Sequence, residues 1–182
     1  MFALPPTLAA VHFSDGEAAD IVLDRTVTRL INEGWKIDGY RQVRPANSEG
    51  CSCAMYLQNI ATGQMTLISQ TLGSGAKGCK LNPQQLALAT ETLRTQLDHS
   101  TDLLVLNRFG KDESEGQGLR SVIERAFELE IPVLTAVRNE YLHSWQEFSG
   151  DCGVKIGLDS GEILDWCYAA LNPNNPILAY RP

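Results

Sequence analysis

This sequence predicts an α/β fold with one mostly parallel sheet flanked by helices, on three observations. Two short apolar runs, Asp102-Leu103-Leu104-Val105-Leu106 and residues 132–137, have the length and continuity of strands covered on both faces. Segments with apolar residues at helical spacing separate the strand candidates. Near the N-terminus a strand, a helix and a second strand fit within about 35 residues, the size of a βαβ unit.

Taken in order, Val11-His12-Phe13 ends the first strand and Ser14-Asp15-Gly16 turns the chain. Ala19, Leu23, Val27, Leu30 and Ile31 form the stripe of the first helix, and Gly34 is its stop signal. Residues 35–43 read as the second strand, broken at Asp38-Gly39. Residues 54–60 and 64–69 flank Ala61-Thr62-Gly63 as a β-hairpin. Gly73, Gly75 and Gly78 then allow close approach to a ligand.

Asn82-Pro83 has the form of an N-cap with proline at the first helical position, ahead of the stripe Leu86, Ala89, Leu93 and Leu97. After the central strand, Leu119, Val122, Ile123, Ala126 and Phe127 mark a further amphipathic helix. A short helix at 141–148, a strand at Val154-Lys155-Ile156 and a last helix on Ile163, Cys167 and Leu171 complete the series. The expected organisation is one α/β domain over 1–182. It carries a hairpin and glycine-rich insertion at 44–80 and a tail at 172–182.

A net charge of -7 argues against a general nucleic-acid binder. No apolar run approaches the roughly 20 residues of a membrane span, and residues 1–10 lack the basic start of a signal peptide. The expected compartment is therefore the cytoplasm. The five cysteines follow no disulfide framework and are expected as thiols.

Asn107-Arg108-Phe109-Gly110-Lys111-Asp112-Glu113-Ser114-Glu115-Gly116 follows the central strand directly. Open α/β sheets bind ligands at the carboxyl ends of their strands, so this segment is the leading candidate site. Arg108 and Lys111 suit a phosphate or another oxyanion, and Glu113 or Glu115 suits a magnesium-bound water or a base. The plainer alternative is a solvated loop whose charges pair with each other.

The turn at Ser14-Asp15-Gly16-Glu17-Ala18-Ala19-Asp20 lacks the second glycine and the lysine of a Walker A loop. Asp15 or Ser14 caps the helix, or Asp15 and Asp20 serve a site through a cation. Cys51, Cys53 and Cys79 are candidates for a thiolate metal site, joined by His12 or His143, against ordinary packing. Cys152 and Cys167 read as structural. No nucleophile elbow or triad pattern is present.

Further residues carry a resemblance. They are Ile68-Ser69-Gln70, Gly78-Cys79-Lys80-Leu81-Asn82-Pro83, Leu106-Asn107-Arg108-Phe109-Gly110-Lys111 with Glu113, Glu115-Gly116-Gln117-Gly118-Leu119, Ile131-Pro132-Val133-Leu134-Thr135-Ala136-Val137 and Trp145. Gly16 to Asp20 fits as an early loop. On these the chain resembles an uncharacterised bacterial family of nucleoside-triphosphatase-like proteins, often associated with molybdenum-transport genes. The resemblance covers roughly residues 8 to 171.

The resemblance implies a P-loop-NTPase-like three-layer sandwich and a relation to small enzymes that hydrolyse ATP or GTP with magnesium. Gly110, Lys111 and Glu113 match that group's glycine-lysine pair and glutamate. Asn107 and Arg108 stand where its acidic residues would be, and the Walker lysine is missing. The resemblance also implies cysteine-bearing positions at Cys51 and Cys79.

The leading expectation is nucleotide binding with weak or lost hydrolysis. Asp15, Gly16, Asp20, Asn107, Arg108, Gly110, Lys111 and Glu115 would hold the ligand, and Lys111 and Glu113 would serve catalysis. The alternative is a non-enzymatic binder of a metal or an oxyanion, molybdate or tungstate, at Cys51, Cys53, Cys79 and Arg108. A third is an interaction module. A homodimer is left open.

Overall fold

The computed structural model describes residues 7–43, 54–71 and 79–172. In chain order its elements are β1 (Leu8–Phe13), α1 (Gly16–Asn32), β2 (Ile37–Val43), β3 (Tyr56–Asn59), β4 (Met65–Leu67), β5 (Ser69–Thr71) and β6 (Cys79–Leu81). Then come α2 (Pro83–Gln96), β7 (Leu103–Phe109), α3 (Lys111–Ser114), α4 (Arg120–Glu128), β8 (Val133–Arg138), α5 (Leu142–Ser149), β9 (Gly153–Ile156) and α6 (Ser160–Leu171).

The main sheet has seven strands in the order β4-β3-β2-β7-β8-β1-β9. From β2 to β9 neighbouring strands are parallel, while β3 and β4 add an antiparallel edge beside β2. The expected hairpin therefore forms, and it extends the main sheet. A second two-stranded ribbon, β5 with β6, was not foreseen. Each of its strands has only three residues, too few to show a period.

Side-chain alternation along the buried strands feeds two cores. Leu8, Ala10, Leu104, Leu106, Val133 and Val137 join residues of α2, α4 and α5, including Leu93, Val122 and Trp145. Ala9, Val11, Leu103, Val105, Leu134 and Ala136 face the other way, against Leu23, Val27 and Leu30 of α1 and Ile163 and Trp166 of α6. The result is three layers. Ala9 and Ala10 in β1 have no exposed surface, so each face of this strand presents a small side chain to the layer against it.

Helix starts follow their caps. Asp15 accepts a hydrogen bond from Glu17 N, Asn82 from Gln84 N and Gln85 N, and Asp159 from Gly161 N and Glu162 N. Caps of this kind contribute about 1 kcal/mol each. Leu97 is buried as expected, but Phe127, read from the sequence as part of an apolar stripe, is 53% exposed.

Candidate functional site

β7 carries the feature that shapes the site. Leu106 pairs with Thr135 and Phe109 with Val137, so three steps on β7 oppose two on β8. This β-bulge reverses the inward and outward phase of the strand. Phe109 joins Leu104 and Leu106 in the core under α5, where its ring meets Trp145 edge-on at 5.3 Å and stacks on Phe148 at 5.6 Å. Arg108 turns to the opposite face, beside α1.

There a cleft of about 890 Å³ opens, lined by the first half of α1 and the carboxyl halves of β2, β7 and β8. Its floor includes Leu23, Val27, Tyr40 and Val105, and its polar lining includes Asp20, Asp24, Arg25, Arg41, Asn107, Arg108 and Arg138. This is the edge where α/β sheets of this kind bind ligands.

Two ion pairs cross the cleft from α1 to the sheet. Arg108 Nη2 donates to both carboxylate oxygens of Asp20 at 3.1 Å and to the carbonyl of Gly16 at 3.4 Å. The guanidinium lies 5.2 Å from the centre of the Phe13 ring. Arg41 Nη1 pairs with Asp24, and its Nη2 donates to Gln58 Oε1 at 3.1 Å. The Nε atoms of both arginines are buried without a hydrogen-bond partner among the described residues. Gly16 makes room for this arrangement, since a Cβ there would lie 2.9 Å from Arg108 Nη2.

The other expected site residues are placed as follows. Asn107 is buried and lines the cleft, and Gly16 lines it at the start of α1. Asp15 is the N-cap of α1 and is not among the lining residues. Gly110, Lys111, Glu113 and Glu115 do not line it either. Lys111 is exposed and sits 3.8 Å from Glu115.

Glu113 is buried, accepting from Gly110 N at 2.9 Å and Leu119 N at 2.8 Å. Burial pushes its carboxyl above the ordinary carboxylate range, against the opposing pull of those two N–H groups. Its carboxylate closes the loop between β7 and α4, and Gly118 lies so close that a Cβ would overlap it. The run for which a solvated loop was the alternative reading thus contains the short helix α3.

Cys51 and Cys53 lie outside the described residues, and of Cys79 only the backbone, in β6, is described. Among the described residues no group of three or more histidine, cysteine or acidic side chains is placed to hold a metal ion. Cys167 is buried, which pushes its thiol up to about 12, and Cys152 packs against the α5 side core.

The sequence reading missed Arg41, Asp24 and Arg138 as cleft residues. A signal existed: Arg41 and Arg138 sit in the carboxyl halves of β2 and β8, the same position that singled out Asn107 and Arg108.

The parallel order, the flanking helices and the cleft define a P-loop-NTPase-like α/β fold. Residues 8–166 match the model of a family described as proteins of unknown function, DUF2478, and the chain belongs to that family. It is 33% identical over 162 residues to the molybdenum import ATP-binding protein ModC 2 of Bradyrhizobium diazoefficiens, a match covering 89% of this chain and 18% of that protein. It is 28% identical over 138 residues to the nucleoside-triphosphatase THEP1 of Methanosarcina acetivorans, covering 74% of this chain and 77% of that protein. The chain thus spans under a fifth of the length of ModC 2. No solved structure matches it.

Proposed function

We propose that this chain is a nucleotide-binding, NTPase-like protein with weak or lost hydrolysis, accessory to molybdenum uptake. The observation that carries the reading is the arginine-lined cleft at the carboxyl edge of the parallel sheet, beside the first turn of α1. The names of the two relatives, one ATP-binding and one a nucleoside-triphosphatase, support nucleotide as the ligand. The first of those names also supports the link to molybdenum.

Weak hydrolysis is supported by three features. Only Ser14 and Asp15 separate β1 from α1, too few for the loop of a Walker A pattern to wrap a phosphate. Arg108 covers Gly16, and its charge is already matched by Asp20. Phosphoryl transfer also needs its metal held in place. Here Asp20 and Asp24 are tied to arginines and both Glu113 oxygens to backbone N–H groups. Magnesium would arrive with the nucleotide's phosphates.

The test is the melting temperature with ATP or GTP plus magnesium, with molybdate and tungstate in parallel. A ligand at 100 times its dissociation constant adds about 2.7 kcal/mol to stability. A nucleotide-dependent rise with little phosphate release is expected. No shift with either nucleotide would overturn the reading. A shift with the oxyanions alone would favour the second reading, a non-enzymatic oxyanion binder centred on Arg108.

A further inference from the structure

We propose that Arg41 and Arg108 form a clamp for one tetrahedral dianion, for which Asp20 and Asp24 are built-in competitors. The inference rests on the cleft being the ligand site and names the group the cleft takes. That chemistry has two sources, the terminal phosphate of a nucleotide and a free inorganic oxyanion.

Four observations carry it. First, the two arginines come from neighbouring parallel strands and line the same cleft. Asp20 and Asp24 lie one helical turn apart on α1, facing them. The carboxylates that hold the two guanidinium groups thus start from Cβ atoms roughly 5–6 Å apart, which brings both arginines to one stretch of the cleft.

Second, their donors are underused. A guanidinium has five N–H groups. Arg108 spends only Nη2 on acceptors among the described residues, and the Nε of each arginine has no partner there.

Third, the arginines are anchored without the carboxylates. Arg108 touches the Gly16 carbonyl and the Phe13 ring, and Arg41 bonds Gln58. Fourth, the carboxylates have an exit to water. The Asp20 and Asp24 side chains are 36% and 54% exposed, against 26% and 30% for Arg108 and Arg41. An incoming dianion brings two charges to N–H groups that each aspartate meets with one. The displaced aspartates regain hydration at the mouth of the cleft.

The experiment is calorimetric titration of the full chain with inorganic phosphate, molybdate and ATP. The proteins are wild type, Asp20→Asn, Asp24→Asn, Arg108→Gln and Arg41→Gln. Glu128→Gln on α4 makes the same charge change away from the cleft, and circular dichroism confirms folding. Each asparagine variant should bind at least one inorganic anion about tenfold tighter than wild type, the size of one charge-assisted hydrogen bond. Glu128→Gln should match wild type, and each glutamine-for-arginine variant should lose binding.

If ATP tightens in step, the dianion is the nucleotide's phosphate. If inorganic anions tighten and ATP does not bind, the clamp stands and the nucleotide reading falls. If ATP binds equally to wild type, Asp20→Asn and Arg108→Gln, the clamp is overturned while nucleotide binding stands. Inorganic-anion affinity unchanged or absent in both asparagine variants also overturns the clamp.

Discussion

Glu113, a residue expected in catalysis, has a structural role at the residue scale, closing the loop between β7 and α4. Its two oxygens satisfy Gly110 N and Leu119 N, so Glu113→Ala leaves two N–H groups, one part-buried and one buried, without partners. Guanidinium chloride unfolding should show a loss of roughly 2–3 kcal/mol. Its pKa is raised in the folded state, so the native state binds a proton more readily than the unfolded chain. The cost of the buried charge is present above the folded pKa and is relieved as pH falls through it. Relative to Glu113→Gln, wild type should gain stability as pH is lowered from neutral through the carboxylate range. The opposite slope would mean that the two N–H bonds outweigh burial. Asp15 is a simpler case. Asp15→Ala should cost about 1 kcal/mol through loss of the α1 cap. It should leave ligand affinity untouched, because Asp15 does not line the cleft. A changed dissociation constant would restore Asp15 to the site.

At the scale of elements, β2 and β7 control whether the cleft exists. Gly39 sits opposite Val105 with φ +136°, and a Cβ there would lie 1.8 Å from the Val105 carbonyl oxygen. Gly39→Ala combines backbone strain with an overlap that only strand separation relieves. The expected loss is more than about 3 kcal/mol, measured by chemical denaturation. A near-neutral result would mean that the two strands can part locally. The sequence marked a break at Asp38-Gly39, but the chain pairs straight through it, because glycine admits the close approach of β7. The bulge on β7 had no comparable signal. It exists because Phe109 packs with Trp145 and Phe148, which come from α5, and that packing sends Arg108 to the other face.

At the scale of the molecule, the two cores are the two faces of the same strands, so neither can melt while the sheet survives. Trp145 reports on one and Trp166 on the other. Variants that keep only Trp145 or only Trp166, with Trp35 also replaced by Phe, should unfold in denaturant with coincident midpoints. Separate midpoints would divide 1–182 into more than one cooperative unit. Among the described residues no helix is long and apolar enough to cross a membrane.

The class of fold was readable from the sequence because its signals are local. Apolar runs mark β7 and β8, helical stripes mark α1, α4 and α6, and Asn82-Pro83 marks the start of α2. The carboxyl end of β7 was readable as a candidate site for the same reason, since four apolar residues lead straight into Asn107 and Arg108, which line the cleft. The partners of those residues were not. Asp20 is 88 positions from Arg108 in sequence, and Arg41 reaches the cleft from another strand. Which charges meet, and which of them face the cleft, depends on strand order, on the bulge and on the face that α1 covers. Those are set by packing between distant segments, so only the tertiary structure decided that Arg108 belongs to the cleft while Lys111 and Glu113 do not line it.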